Sequence, residues 1–184
     1  MKSDIHDDLF QSLFKWARRQ DENFSTEVFV SIFRHLQRNE PKIAAKIFNF
    51  LTDSKYELTL KEVPFLNIST QSSMDMGRPD IVIESAHLVI FIEVKLNAGF
   101  GDKQLFRYKS KLSKEKYKHT CLVTITKYPL EYYGLTDSEL PDVSLRWIDI
   151  AKSFSKYKII KPISKYLIDE FILFLNRSNL TARG

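Results

Sequence analysis

Asp80 and the triplet Glu93-Val94-Lys95 are the residues of this chain that most invite a chemical reading. Asp80 follows Pro79, and Glu93 closes an otherwise apolar run, Leu88-Val89-Ile90-Phe91-Ile92. Within a strand, residues two apart share a face, so Glu93 and Lys95 emerge side by side. Ile81–Glu84 and Leu88–Lys95 read as two strands around a short turn at Ser85, Ala86 and His87. If Glu84 pairs with Val89, antiparallel register sets Asp80 opposite Glu93, with Cα atoms roughly 4.5–5.5 Å apart. A one-residue slip would undo that meeting.

Two carboxylates so placed repel by about 4 kcal/mol at ~4 Å under an effective dielectric of ~20. A divalent cation removes the conflict. Mg²⁺ favours carboxylate and water oxygens and commonly takes one or two carboxylates together with phosphate oxygens. A lysine beside it would orient a water attacking phosphorus, or help deprotonate it, while the metal stabilises the growing negative charge. The expectation is a site for phosphodiester hydrolysis using Mg²⁺ or Mn²⁺. The plainer alternative is that Asp80 caps a strand and Glu93 pairs with Lys95 at a solvent edge. An isolated Glu-x-Lys favours that alternative. The apolar run before Glu93 and a Pro-Asp at hairpin distance weigh against it.

The surrounding pattern supplies elements to hold these residues. Apolar positions recur at helical spacing from Asp4 to Gln20. Ser25 is expected to cap a second helix reaching Arg38, and Pro41 to open a third through Leu51. Tyr56–Val63 reads as a strand with Leu58 and Leu60 on one face, and Asn67–Arg78 as a polar loop. Leu88–Lys95, apolar on both faces before Glu93, reads as a central, doubly covered strand. Asp102 is expected to cap a helix from Lys103 to Lys116. Strands follow at Cys121–Thr126 and Val143–Ile148, and Pro162 opens a last helix. The order is helices, three strands, helix, two strands, helix: a mixed α/β domain with a partly antiparallel sheet.

Pro79-Asp80 followed by Glu93-Val94-Lys95 resembles the motif of the PD-(D/E)XK nuclease superfamily. Gln104-Leu105-Phe106-Arg107-Tyr108 is similar to the Q-x-x-x-Y element on the helix after that motif in RecB-like members. Glu27 lies on a helix before the first strand, where many members carry a further acidic ligand. The resemblance covers Asn23 to Ile148. It implies an α/β restriction-endonuclease-like core (helix, three strands, helix, strand) with a mixed central sheet and extra N- and C-terminal helices. It further implies metal ligation by Asp80, Glu93 and the Val94 carbonyl, with Glu27 completing the site directly or through water. Lys95 would position the nucleophile, and Gln104 and Tyr108, one helical turn apart, would support the site and touch substrate backbone. Glu27 also suits the positive end of a helix dipole with no metal involved. Tyr108 shares a stripe with Leu105 and Leu112, so its ring also reads as core.

The remaining features bound the setting. The 184 residues suit one nuclease-like domain over 1–184, divided into an N-terminal helical extension (1–22), a core (23–150) and a C-terminal helical region (151–184). Fourteen Phe imply an aromatic interior, and a net charge of +5 suits a polyanionic partner only weakly. Lys103, Arg107, Lys111 and Lys114 form a basic stripe; such runs are usually solvated helix faces, but this one starts beside the site and is expected to track a phosphate backbone. Tyr128, Tyr132 and Tyr133 offer base stacking or, more ordinarily, local packing. His6, His35, His87 and His119 are too scattered to hold zinc. The lone Cys121 reads as a small buried hydrophobe. No nucleotide-binding loop or nucleophile elbow occurs, which leaves no ATP-driven motor. Met1–Leu9 does not read as a signal peptide, and no apolar run reaches the ~20 residues of a membrane span. The expectation is a cytoplasmic, metal-dependent nuclease acting on DNA in preference to RNA. A homodimer or larger complex is left open. The rival reading is a nuclease-like fold used only for nucleic-acid binding or assembly.

Overall fold

The computed structural model describes residues 9–14, 21–70, 77–97, 99–101, 103–129 and 136–181. Among these described residues, five strands form one sheet in the order β1 (Asn67–Thr70), β2 (Ile81–Glu84), β3 (Leu88–Lys95), β4 (His119–Thr126) and β5 (Val143–Arg146). The β1–β2 and β2–β3 pairs are antiparallel, whereas β3–β4 and β4–β5 are parallel. Such a mixed sheet needs helices on both faces wherever its strands are apolar on both, and β3 is buried at every position but Lys95.

Alternation along β3 divides the interior. Leu88, Ile90, Ile92 and Val94 face a large core shared with helices α2 (Asp21–Asn39), α3 (Pro41–Leu51), α5 (Trp147–Lys156) and α6 (Pro162–Arg177). Val89 and Phe91 face a smaller one under α4 (Gln104–Leu112), with Leu105, Tyr108, Leu112 and Leu122. The short helix α1 (Leu9–Phe14) docks on α6, with Phe10 and Phe14 set edge-on to Phe174.

Phe29 is the hub of the large core. It is fully buried, with ring centroids of Phe33, Trp147, Phe154 and Phe171 all 6.0–6.3 Å away. Phe29→Ala is expected to cost about 3–5 kcal/mol, because four rings cannot collapse into the space at once. Urea unfolding of the variant against the wild type checks this, and a loss under ~1 kcal/mol would contradict the packing described.

Several expected elements lie elsewhere. Tyr56–Val63 is not a strand: Leu58 is buried while Leu60 is 48% exposed, so the two share no face. Glu62 gathers the segment instead. It accepts hydrogen bonds from the Tyr56 hydroxyl and the Thr59 amide, and a 3-10 turn follows at Val63–Phe65. Local side-chain bonding here outcompetes the ladder. The first strand comes from within the supposed polar loop, at Asn67–Thr70. There Ile68 alone is buried, and Arg34 donates to its carbonyl at 2.6 and 3.1 Å.

Helix α2 starts at Asp21, and Ser25 is not its cap: its hydroxyl donates back to the Asp21 carbonyl from inside the helix. Strand β5 ends at Arg146 rather than Ile148, because Asp149 accepts the Arg146 amide at 2.9 Å and starts α5. Helix α4 stops at Leu112, short of Lys116. Its preceding residue is Lys103 in a left-handed conformation, while Asp102 lies outside the described residues.

Candidate active site

The β2–β3 register is the one expected, Ile81↔Ile92 through Glu84↔Val89, so one further step sets Asp80 opposite Glu93. Gly77, at φ +93°, turns the chain into Arg78-Pro79-Asp80 with a conformation L side chains rarely adopt. Asp80 then accepts the backbone N–H of Val94 at 2.7 Å through Oδ2. That bond locks the aspartate across the strand pair.

Glu93 is 2% exposed. Its Oε1 accepts from Gln104 Nε2 at 2.6 Å and pairs with Lys95 Nζ at 2.7 Å. Its Oε2 is buried and has no hydrogen-bond partner among the described residues. An orphaned carboxylate oxygen costs about 1–3 kcal/mol or more. Burial, and then the charge of Asp80, push Glu93 up to about 7, against the opposing pull of Lys95. Asp80 is raised as well, by burial, although the Val94 amide and Lys95 favour its ionised form. For Lys95, burial works against the charge, but ion pairs with Glu93 and Glu22 overcome it and hold the ammonium above its ordinary range. Lys95 is therefore a cation here.

The helix after the motif reaches the same point. Gln104 Nε2 donates to Glu93 and, at 3.1 Å, to the Tyr108 hydroxyl, while its Oε1 accepts the Gly101 amide at 3.0 Å. Tyr108 donates in turn to the Arg78 carbonyl at 2.8 Å. Both readings of Tyr108 hold together. Its ring packs edge-on against Phe91 in the core, and its hydroxyl ties α4 to the turn before Asp80. Burial, with the Glu93 charge adding to it, pushes the phenol up to about 12, so it stays a donor.

Glu27 is not brought to this cluster. It is exposed on α2, whereas Glu22 in the first turn of the same helix reaches the cluster. Glu22 accepts from Lys95 Nζ at 3.1 Å and from the Leu96 amide at 3.2 Å. The two glutamates stand five positions apart, which sets them about 140° apart around the helix. A helix start placed too late hid Glu22; the acidic pair Asp21-Glu22, suited to a helix N-terminus, was the available signal.

Val94 is fully buried and meets Asp80 through its N–H. Thr124, fully buried and level with Glu93 on β4, bonds Ser144 of β5 at 3.2 Å, which extends a polar row across the sheet. Lys103, Arg107, Lys111 and Lys114 are all exposed, but only Arg107 and Lys111 lie within α4, since Lys103 precedes the helix and Lys114 follows its end. The neighbouring Lys109 pairs with Asp142 at 3.5 Å. Tyr128 is 48% exposed, while Tyr132 and Tyr133 lie outside the described residues. Cys121 is buried in β4, where burial pushes its thiol up to about 12. No described helix is long and apolar enough to cross a membrane.

Among the described residues no three His, Cys, Asp or Glu side chains are gathered as a ready metal cage. The donors nonetheless fit a hard cation: two adjacent carboxylates, one with an unpartnered buried oxygen, match the one or two carboxylates Mg²⁺ usually takes from protein.

A mixed five-stranded sheet between helical layers, with Glu93 and Lys95 at the end of its central strand and Asp80 opposite Glu93, defines a restriction-endonuclease-like α/β protein. The chain belongs to the PD-(D/E)XK nuclease superfamily, whose family model matches residues 6–168. Comparison with curated proteins and with solved structures gives no match.

Proposed function

We propose that this protein is a Mg²⁺- or Mn²⁺-dependent nuclease that hydrolyses phosphodiester bonds, with DNA favoured over RNA on family resemblance alone. The observation that carries this reading is Glu93 Oε2, buried without a donor beside the second carboxylate of Asp80. Asp80, Glu93 and the Val94 carbonyl would hold the cation. When bound, such a cation neutralises charge on the phosphate and makes a nucleophile of water near neutral pH.

The side chains around it have distinct tasks. Lys95, held cationic by two glutamates, orients an attacking water and offsets negative charge at phosphorus rather than accepting a proton. Gln104 fixes the Glu93 carboxylate through Oε1 and leaves Oε2 free for the metal. Tyr108 steadies the Arg78–Asp80 turn.

Calorimetric titration tests the reading. Wild-type protein is expected to bind Mn²⁺ and to cleave DNA only with a divalent cation, and Asp80→Asn to lose both properties while remaining folded. Nucleic-acid affinity with no Mn²⁺ binding would favour a pure binding module instead.

The α4 stripe is expected to grip the phosphate backbone. Reversing the charge at Lys103, Arg107 and Lys111 should lower affinity and reduce the slope of log affinity against log salt by about 2–3. An unchanged slope would remove the stripe from the interface.

A further inference from the structure

A cleft of about 270 Å³ opens on the α4 face of the sheet next to Asp80. Its apolar wall is Pro79, Val82 and Phe91, and it runs along β2 towards Glu84 and Tyr117. Pro79 adjoins Asp80 in the chain, while Glu84 lies four residues on, roughly 13 Å further along the strand. The volume is below the ~300–1,000 Å³ of sites for drug-sized ligands, which suits a single planar ring system.

The polar groups are sorted along this cleft. Lys111 borders the wall, its Nζ 5.7 Å from the Phe91 ring centroid. At the far end, the Glu84 carboxylate accepts from Asn67 at 2.8 Å and, over a long 3.4 Å, from the Tyr117 hydroxyl. Glu115 adds a second carboxylate to the lining. Ionised carboxylates only accept hydrogen bonds, so that end repels phosphate and favours amino donors.

We propose that this cleft holds one unpaired nucleobase bearing an exocyclic amine, from the nucleotide neighbouring the bond that is cut. The proposal rests on the nuclease reading of the Asp80–Glu93 site. Lys111 meets the backbone phosphate of that nucleotide, the apolar wall covers the ring, and Glu84 receives the amine. Cytosine, adenine and guanine carry such an amine; thymine does not. The base must be unpaired, since a cleft of about 270 Å³ admits one ring system and not a base pair. The substrate is accordingly a single strand or a frayed end.

Cytosine and thymine give a clean contrast, being alike in ring size. Full-length ¹⁵N-labelled protein in EDTA is titrated with the trinucleotides d(CCC) and d(TTT). Binding of d(CCC) is expected to be at least about fivefold tighter and to shift the amides of Val82, Glu84 and Lys111. Glu84→Gln, checked for folding by its own spectrum, should erase that preference. Equal affinities in the wild type, or shifts confined to Glu93–Lys95 and Gln104, would overturn the proposal. Mg²⁺-dependent cleavage of single-stranded and double-stranded DNA is measured separately on the wild type. Cleavage without cleft shifts rejects the base pocket and leaves the nuclease standing, whereas neither cleavage nor binding rejects both.

Discussion

Glu93→Gln is expected to yield a folded protein that cleaves nucleic acid at least about 10²-fold more slowly and whose stability no longer depends on the ionisation of position 93. Gln is close in shape to the protonated glutamic acid. Its carbonyl oxygen can still accept from Gln104 and Lys95, but it offers no second anionic oxygen to a cation. The stability effect follows from the raised folded-state value of about 7, against an ordinary 4.5. A group raised on folding contributes stability that is complete below its unfolded value and is lost as pH climbs through its folded one. Metal-free wild-type protein should therefore lose on the order of 2–3 kcal/mol between pH 4.5 and about 7 relative to Glu93→Gln. Excess Mg²⁺ should restore stability to the wild type above pH 7 and do little for the variant, because the cation binds the ionised pair and competes with the proton. Thermal melts across this pH range, in EDTA and in Mg²⁺, check both parts. Parallel curves for the two proteins would show that Glu93 does not titrate as described.

The motif strands were legible in the sequence because their side chains carry two independent signals. The apolar run Leu88–Ile92 marks a strand covered on both faces, and the short turn at Ser85–His87 sets the register that brings Asp80 to Glu93. Gln104 and Tyr108 were legible for a similar reason, since one helical turn must align them whatever the helix packs against.

Elements held by long-range partners were not legible. β1 has one buried residue and a loop-like composition; it is a strand because β2 offers a ladder and Arg34 reaches its backbone. Tyr56–Val63 has the alternation of a strand, but Glu62 bonds locally and the ladder goes elsewhere. At α5 the helical spacing of Trp147, Ile150, Ala151 and Phe154 was present, together with Asp149 at the third helical position. The preceding β-like residues extended the strand reading across it. Glu22 shows how a small boundary shift changes which acidic residue is placed beside Lys95. Starting α2 at Ser25 left the acidic first turn outside the helix, so Glu27 was the nearest acidic residue to assign.

The contrast between these two glutamates is the sharpest remaining test of how the site is built. Glu22→Gln is expected to lower cleavage about 10- to 100-fold, while Glu27→Gln should stay within about twofold of the wild type and change stability by less than ~0.5 kcal/mol. Glu22 acts on Lys95: it supplies one of the two anions that keep the ammonium charged, and its other oxygen holds the Leu96 amide just beyond β3. Gln preserves an acceptor for Leu96 but removes the charge, so folding should survive while Lys95 is left with Glu93 alone. With a cation on Glu93, Glu22 would be the principal counter-charge fixing Lys95, so its removal would weaken the hold on the lysine. Mn²⁺ titration separates this role from direct ligation. A positioning residue should leave Mn²⁺ affinity nearly intact while cleavage falls, whereas a metal ligand should lose both in proportion. Activity within about twofold of the wild type in both Glu22→Gln and Glu27→Gln would mean that neither glutamate serves the reaction and that the Lys95–Glu22 bridge only closes the end of the sheet.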